Sequence, residues 1–258
     1  MSLANEICRM DAITLAAQVR AKSLSASEVT EAVLARMEVL EPQLHAFCTP
    51  TPDLARAAAR AVDAGIAAGQ DPGPLAGVPV GIKDLVATAG IRTAMGSPLY
   101  ENFVPEEDDI VVERLKAAGA IIIGKTSVPE FGYSGVSNNP LFPATRNPWD
   151  LAMTPGGSSS GSGAAVAAGL GPIAIGSDGG GSVRVPAAHC GLVGFQGVDG
   201  AGAFVPRLSR STVSRPVELG IAGTHRPDDT HRGRCGPDDE RDCRPRCARS
   251  SFHPGGGF

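Results

Sequence analysis

From Ala222 to Phe258 the sequence contains no Leu, Ile, Val, Met, Trp or Tyr. Ordering each residue costs about 1–2 kcal/mol of backbone entropy, which buried apolar surface must offset, so we expect no packed core there. The charge also changes nearby: residues 1–196 carry 13 Lys plus Arg against 19 Asp plus Glu, whereas residues 197–258 carry 10, all Arg, against 8. We therefore predict a folded part over residues 1–195 and an atypical, disordered or out-of-frame tail over residues 196–258.

Length and charge limit the classes of function. The 258 residues suffice for a core, and a net charge of -4 disfavours direct binding of nucleic acid. Residues 1–10 lack the apolar stretch of a secretory signal, and the weakly polar run 161–176 is too short to cross a membrane. We expect a cytoplasmic protein that binds neither nucleic acid directly nor a membrane.

The six cysteines do not form an evenly spaced disulfide framework. A zinc module in the tail is the alternative to an out-of-frame segment, and its candidate ligands are Cys235, Cys243, Cys247, His225, His231 and His253. The cysteine spacing does not match the usual paired pattern of structural zinc sites, so we expect no metal. Metal analysis of the purified chain would decide between the two interpretations.

The first part of the chain alternates between helical and strand patterns. Apolar spacing predicts helices over 11–20, 27–40, 53–68, 110–118 and 161–169, and short apolar runs predict strands over 78–82, 120–123 and 172–175. Ser27 is the predicted N-cap of the second helix, and Pro42 is expected just beyond its end. This order is typical of a layered α/β domain.

Two clusters of glycine and serine, residues 155–163 and 177–184, carry candidate chemistry. In each, a hydroxyl lies beside glycines whose backbone can bring several N–H groups close to one bound atom, as an oxyanion hole requires. Either cluster, taken singly, is equally consistent with a tight or flexible loop.

The first cluster fits two generic motifs poorly. It is not a phosphate-binding loop of the Walker type, because no lysine follows its second glycine. Residues 157–161 match G-x-S-x-G, which would make Ser159 an α/β-hydrolase nucleophile on a strand-to-helix turn. Residues 147–155 contain two prolines and no β-branched run, so that strand is not predicted and the interpretation is disfavoured.

Lys83 is the remaining candidate for activating a serine. It directly follows the predicted strand 78–82, and burial at a strand end would lower the pKa of its amine toward that of a useful base. Taken alone, Lys83 is also consistent with a solvated surface lysine.

Taken together, these residues resemble the amidase signature family. The matching motifs are residues 81–84, 155–163 and 178–184, with 75 residues from Lys83 to Ser158 and 24 from Ser158 to Ser182. Supporting matches lie at residues 75–79, 112–120, 124–126, 146–150 and 190–195. The resemblance covers roughly residues 10–195 and marks residues 1–195 as the N-terminal part of such a domain.

The resemblance implies a mixed β-sheet surrounded by α-helices, without its later strands, and a Ser–cis-Ser–Lys triad. Ser182 resembles the nucleophile, Ser158 the bridging serine after a cis peptide bond, and Lys83 the base. The resemblance also implies an oxyanion hole formed by the backbone N–H groups of Gly179, Gly180, Gly181 and Ser182. It implies that the residues around this hole have a structural role, and these are Ser159, Ser177, Asp178 and Arg184.

The implied activity is hydrolysis of a small-molecule carboxylic amide to a carboxylate and ammonia or an amine, through a Ser182 acyl-enzyme. No metal or organic cofactor is implied. The alternatives are a non-catalytic remnant or binding protein, and the glutaminase subunit of a tRNA-dependent amidotransferase, which requires partner subunits. A homodimer is left open.

The sequence departs from the family pattern at two places. Ser160 stands where the family commonly has glycine, and after Phe195 the family continues with Lys-Pro and a long second half, whereas a different sequence begins at Gln196. We hypothesise that the chain is out of frame from about residue 196 or 197. The chain as written is then expected to be poorly active although its triad residues are present, and sequencing of codons 190–200 tests this.

Overall fold

A computed structural model describes residues 3–196 and 218–223 of the chain. The expectations for residues 197–217 and 224–258, including the zinc alternative, lie outside the described residues. Within the range predicted as the tail, Glu218–Gly223 forms a strand. No helix within the described ranges has the length and apolar character needed to cross a membrane.

Helices and strands alternate over the first two hundred residues. The helices are α1 Leu3–Ile7, α2 Ala12–Arg20, α3 Ala26–Leu44, α4 Pro52–Ala67, α5 Ile110–Ala117, α6 Ser160–Ala167 and α7 Arg184–Cys190. The strands are β1 Phe47–Pro50, β2 Pro79–Lys83, β3 Ile121–Thr126, β4 Ile173–Asp178, β5 Val193–Gln196 and β6 Glu218–Gly223. Two short 3₁₀ turns lie at Pro98–Tyr100 and Glu130–Gly132.

The strands form one mixed sheet in the order β1-β3-β2-β4-β6-β5. Strand β2 is parallel to both β3 and β4, whereas β1 and β6 are antiparallel to their neighbours. Lys83 is level with Thr126 on β3, and Ile82 is level with Ile175 on β4. The carboxyl ends of three parallel strands therefore meet at one edge of the sheet, which is where ligand sites of such sheets usually form.

The centre of the sheet is covered on both faces. All five residues of β2 and all six of β3 are buried. Near-continuous apolar runs of this kind are typical of parallel strands packed between helices. The core comprises these strands and the inner faces of α2, α3 and α6, with buried side chains such as Leu15, Val29, Val33, Val80, Ile121, Ile123 and Ala165. Lys83 is therefore the last residue of a strand that is buried on both faces.

The predicted start of α3 at Ser27 is wrong, because a capping box forms two residues earlier. Ser25 Oγ accepts from the Glu28 N–H at 3.0 Å, and Glu28 Oε2 accepts from the Ser25 N–H at 2.8 Å. Both contacts satisfy amides that a helix start leaves unpaired. The Ser27 hydroxyl instead donates to Asp63 Oδ2 at 2.6 Å, which ties α3 to α4.

The predicted end of the same helix before Pro42 is also wrong, because Pro42 lies inside the last turn. At that position proline removes one backbone hydrogen bond, a cost that the packed helix tolerates. The helix closes at His45, whose φ of 51° is left-handed and whose N–H donates to the Glu41 carbonyl. A left-handed residue at this position is a common helix terminator.

Candidate active site

Lys83 ends β2 at the carboxyl edge of the sheet and is completely buried. Its Nζ donates to Ser158 Oγ at 2.7 Å and to the Ser177 carbonyl oxygen at 3.0 Å. The two contacts fix the amine between the two glycine–serine clusters. The structure thus brings together the lysine and the first serine of the predicted triad.

Burial changes the protonation of Lys83. Desolvation lowers the pKa of the Lys83 amine from 10.5 to about 7, and the negative charge of Asp178 opposes the shift. An ordinary lysine is almost fully protonated near neutral pH and cannot act as a base. The buried Lys83 amine is neutral in a substantial fraction of molecules at that pH, as a general base requires.

The first cluster is closely packed around Ser158. The peptide bond between Gly157 and Ser158 is cis, as the family resemblance implied. A Cβ on Gly157 would lie 2.8 Å from the carbonyl oxygens of Ser134 and Val136, so only glycine fits there. Ser158 itself is buried.

Ser159 supports both clusters. Its N–H donates to the Ser182 carbonyl at 3.1 Å, and its hydroxyl donates to the Ser177 carbonyl at 3.4 Å and accepts from the Ser177 N–H at 3.3 Å. No strand lies within residues 147–158, so Ser159 does not follow the strand that an α/β-hydrolase elbow requires. The buried Ser159 hydroxyl therefore links the first cluster to the backbone of Ser177 in the second.

Asp178 gathers the second cluster around its carboxylate. Its oxygens accept from the N–H groups of Gly181 at 2.5 Å, Val183 at 3.0 Å and Arg184 at 3.3 Å. The Arg184 guanidinium adds two bonds, Nε to Oδ2 at 3.0 Å and Nη2 to Oδ1 at 3.1 Å. Burial would raise the pKa of Asp178, but the bonds from Arg184, Val183 and Gly181 outweigh it and hold the pKa well below its usual range.

The nucleophile candidate lies in the open part of this loop. Ser182 is half-buried, Gly179 and Gly180 are exposed, and a Cβ on either glycine would lie more than 4 Å from every atom of the other described residues. In the described part of the chain, the Ser182 hydroxyl and the amides of Gly179, Gly180 and Ser182 form no hydrogen bond. The structure does not join Ser182 to Ser158 by a hydrogen bond, and the Gly181 amide predicted for the oxyanion hole is bonded to Asp178.

A second buried lysine was not identified as a site residue from the sequence. Lys125 Nζ donates to the carbonyl of Val86 and to the hydroxyls of Thr88 at 3.1 Å and Thr93 at 2.9 Å. Desolvation lowers the pKa of Lys125 to about 8, opposed by the charge of Asp84, while burial raises the pKa of Asp84 to about 6. These residues hold the turn that follows Lys83. The sequence does carry a signal for this buried lysine, because Lys125 follows the apolar run Ile121–Ile123 after a single glycine, much as Lys83 follows its own strand.

The His, Cys, Asp and Glu side chains of the described residues lack the arrangement that a metal site requires. Over residues 3–196 and 218–223, no group of three or more His, Cys, Asp or Glu side chains is placed to hold a metal ion. The cysteines in these ranges, Cys8, Cys48 and Cys190, are not joined by disulfide bonds.

Comparisons of the chain with known proteins show its family. The family model described as Amidase matches residues 28–220, and the chain belongs to this family. One curated relative, a glutamyl-tRNA(Gln) amidotransferase subunit from Carboxydothermus hydrogenoformans, is 50% identical over 196 residues. That match covers 76% of this chain and 40% of the relative.

Solved structures confirm the predicted fold class. A bacterial aryl acylamidase of the amidase signature family superposes with a TM-score of 0.79 at 32% identity, over 83% of this chain and 44% of that chain. The 6-aminohexanoate cyclic dimer hydrolase, solved with its substrate, superposes with a TM-score of 0.76 at 32% identity, over 92% and 50% of the two chains. The chain spans about 40% of the length of the curated relatives that it matches.

Proposed function

We propose that this chain carries the catalytic groups of an amidase that hydrolyses small-molecule carboxylic amides through an acyl-enzyme on Ser182. The observation that carries the proposal is the buried contact of 2.7 Å between Lys83 Nζ and Ser158 Oγ. Lys83 is the base, Ser158 the relay and Ser182 the nucleophile. Residues 1–195 form the N-terminal part of the amidase signature domain.

The proposed proton path starts from the contact between Lys83 and Ser158, and it requires the Ser182 hydroxyl to come within hydrogen-bonding distance of Ser158. Neutral Lys83 accepts the Ser158 proton along the existing contact, and Ser158 takes the proton of Ser182 as Ser182 Oγ attacks the amide carbonyl carbon. Collapse of the tetrahedral intermediate breaks the C–N bond, and the proton returns through Ser158 to the leaving nitrogen. Water then attacks the acyl-enzyme by the same relay and releases the carboxylate.

The developing oxyanion is to be held by backbone amides of the second cluster. The amides of Gly179, Gly180 and Ser182 make no hydrogen bond within the described residues and so remain available to a ligand. Gly181 instead anchors the loop through Asp178. Each well-placed oxyanion donor typically contributes a few kcal/mol, about 2.7–4 in one measured case.

Covalent labelling of the full chain by a fluorophosphonate tests the assignment without requiring full turnover. Wild-type chain should be labelled on Ser182, and Ser182→Ala should lose the label. Ser160→Ala is the matched control, because the Ser160 hydroxyl is buried without a hydrogen-bond partner and its removal should leave labelling unchanged. The labelling rate should rise with pH with a midpoint near pH 7 and level off about one to two pH units higher, as Lys83 loses its proton.

Equal labelling of the Ser182→Ala variant would remove the nucleophile assignment. A folded wild-type chain that is never labelled would support the non-catalytic alternative instead. Poor amide turnover by a chain that is labelled normally agrees with the expected weak activity, because labelling requires the nucleophile and turnover requires the substrate pocket as well.

A second candidate function is the glutamine-hydrolysing component of a tRNA-dependent amidotransferase. The observation that favours it is the 50% identity to a curated protein named as one subunit of such an enzyme. Under this proposal the amide is that of glutamine and the chain acts with protein partners. Glutamine hydrolysis that appears only when the other amidotransferase subunits are added supports it, whereas equal hydrolysis of simple amides without them supports the free amidase.

A further inference from the structure

The second buried lysine, Lys125, lies at the same edge of the sheet as Lys83 but on the opposite face. Lys125 is level with Ile82, whereas Lys83 is level with Thr126. Because successive residues of a strand point to opposite faces, the two lysines do not share a face. The hydroxyls of Thr126 and Ser162 on α6 are 2.7 Å apart, so the Lys83 face is the one that α6 covers. Lys125 points away from α6.

All three bonds of the Lys125 amine go to one segment of the chain, residues 86–93. The Nζ atom donates to the carbonyl of Val86, to the hydroxyl of Thr88 at 3.1 Å and to that of Thr93 at 2.9 Å. An ammonium group has three N–H donors, so these bonds use its full capacity. Lys125 is completely buried, and taking an amine out of water is costly unless such bonds replace its hydration. An apolar side chain would fill the same space without that cost, so packing alone does not account for a lysine here.

The bond to Val86 links Lys125 to the backbone of the proposed base. The Val86 N–H donates to the Lys83 carbonyl at 2.9 Å, which closes a turn over residues 83–86. The carbonyl of the same residue accepts from the Lys125 amine. One residue, Val86, therefore separates Lys125 from the backbone position that directs the Lys83 side chain.

The turn over residues 83–86 also reaches the proposed relay serine. A Cβ on Gly132 would lie 2.6 Å from Leu85 Cδ1 and 3.2 Å from Ser158 Oγ. The Leu85 side chain and the Ser158 hydroxyl therefore both pack against the backbone of Gly132. Because closely packed groups transmit displacements, a shift of the turn would move the surroundings of the hydroxyl that bonds Lys83.

A second connection runs from Thr93 to the same glycine. Met95 lies two residues after Thr93, and its carbonyl accepts from the Phe131 N–H at 2.9 Å, one residue before Gly132. Met95 and Phe131 both have left-handed φ values, of 54° and 51°. Such a conformation is costly for a residue with a side chain and persists where the surrounding structure enforces it. Lys125 fixes the start of this segment through its bond to Thr93.

We propose that Lys125 is a positioning residue for the candidate active site, which aligns Lys83 with Ser158 from the opposite face of the sheet by holding the turn that contacts both. Its amine touches neither the substrate nor the reacting atoms. The catalytic consequence rests on the proposed function, since the aligned groups are the proposed base and relay. The positioning contacts themselves can be tested without catalysis.

Amide hydrogen exchange of the full chain measures the positioning. Lys125→Met keeps an unbranched side chain but removes all three bonds to residues 86–93. We expect the Phe131 amide to exchange at least about 10-fold faster in this variant, because its acceptor on Met95 is no longer held. The Gly77 amide, which donates to the Gly119 carbonyl at the other end of β2, should exchange at the wild-type rate. Unchanged exchange at Phe131 overturns the proposal.

A milder pair of variants decides the matter if Lys125→Met does not fold. Thr93→Val removes one acceptor of the Lys125 amine with almost no change of shape, and it should speed Phe131 exchange by about 3-fold or more. The matched control is Thr30→Val, because the Thr30 hydroxyl is also buried but has no hydrogen-bond partner. Equal exchange at Phe131 in these two variants overturns the proposal.

Fluorophosphonate labelling measures the catalytic consequence, as a rate per folded chain at the plateau of the pH profile. We expect a loss of about 20-fold or more for Lys125→Met and about 5-fold for Thr93→Val, since small misplacements of catalytic groups are costly, and no change for Thr30→Val. The midpoint should stay near pH 7, because burial and the charge of Asp178 set the pKa of Lys83. A merely structural lysine would alter the amount of folded chain and leave this rate unchanged, which would overturn the proposal.

The two measurements separate failure of the positioning from failure of the proposed function. A wild-type chain that is never labelled removes the proposed function, and the exchange of Phe131 then decides alone whether Lys125 holds the segment beside Ser158. Labelling that falls in Lys125→Met while Phe131 exchange stays at the wild-type rate overturns the proposal, because Lys125 then acts by another route. A midpoint displaced by more than about one pH unit does so as well, since it would show an effect through charge.

Discussion

The two glycine–serine clusters look alike in sequence but use their glycines for different physical reasons. In the first cluster, a Cβ on Gly161 would overlap the backbone oxygen of Ala46 and the nitrogen of Ser127, and a Cβ on Gly157 would meet two carbonyl oxygens. In the second, Gly179 and Gly180 have no atom of the described residues within 4 Å of that position. Glycine is required by close packing in one cluster and leaves open space in the other.

The candidate site therefore has one side that is buried and one side that is exposed. The side that holds Lys83 and Ser158 is buried and bonded by this chain's own residues. The side that holds Ser182 is anchored at Asp178 and through the Ser182 carbonyl, while its middle faces outward. The base and relay are preorganised here, whereas the middle of the nucleophile loop is exposed and makes no close contact with the other described residues.

The largest effect is expected from adding one methyl group to the packed cluster. Gly161→Ala should lower the free energy of unfolding by at least about 3 kcal/mol, because its Cβ overlaps backbone atoms that cannot rotate away. Urea denaturation followed by circular dichroism measures this. A loss below about 1 kcal/mol would show that the first cluster is looser than its contacts indicate.

The next effect concerns the anchor of the open cluster. Asp178→Asn should cost roughly 2–3 kcal/mol at neutral pH, because one amide group cannot accept all the bonds that the carboxylate accepts. Since the folded pKa of Asp178 lies below its unfolded value, the stabilisation is present above about pH 4 and is lost as the pH falls further.

Denaturation at several pH values compares this variant with Asp150→Asn. Asp150 also caps a turn amide but is exposed, so its replacement should cost less than about 1 kcal/mol. Equal costs for the two variants would contradict the anchoring role of Asp178.

A smaller effect of opposite sign is expected at the buried base. Between pH 7 and 10.5 the unfolded chain binds more protons at Lys83 than the folded chain does, so wild-type stability rises with pH by up to about 1.4 kcal/mol per unit. Lys83→Met removes this dependence. The variant should be about 1–2 kcal/mol more stable than the wild type at pH 7, after allowance for two lost hydrogen bonds, and should lose fluorophosphonate labelling.

The control for the pH dependence is Lys116→Met, which removes a surface lysine paired with Asp108. Its stability curve should stay parallel to that of the wild type over the same pH range. A Lys83→Met variant that is less stable than the wild type at pH 7 would contradict the desolvated state of Lys83.

The smallest effect is expected in the open loop. Gly180→Ala should change the free energy of unfolding by less than about 0.5 kcal/mol, because its Cβ enters empty space at a φ that other residues adopt. Urea denaturation followed by circular dichroism measures this, and a loss above about 1 kcal/mol would show that the loop is more closely packed than its contacts indicate.

Periodicity predicted five elements to within two residues at both ends, among them the helix at Pro52–Ala67, expected over 53–68. The predicted ends of α3, β3 and β4 fall three or four residues early, and periodicity did not predict α1, α7, β5 and β6. It missed β1, whose four residues end in proline and whose bonding is supplied by β3, about 75 residues away in sequence. The resemblance to the amidase signature family implied that Lys83 and Ser158 are partners, and their contact agrees with it. It did not show that the Gly181 amide is bonded to Asp178, because that depends on how the loop turns in space.

The central position of β2 also has a consequence for the order of folding. Lys83 is 75 residues from Ser158 and 94 from Ser177, so neither contact has a local precursor in the chain. The amine reaches its partners only once β2 and β4 have aligned side by side, a long-range step of the kind that slows folding. During synthesis on a ribosome, Lys83 would thus remain solvated and charged until the chain as far as Ser177, 94 residues later, had emerged.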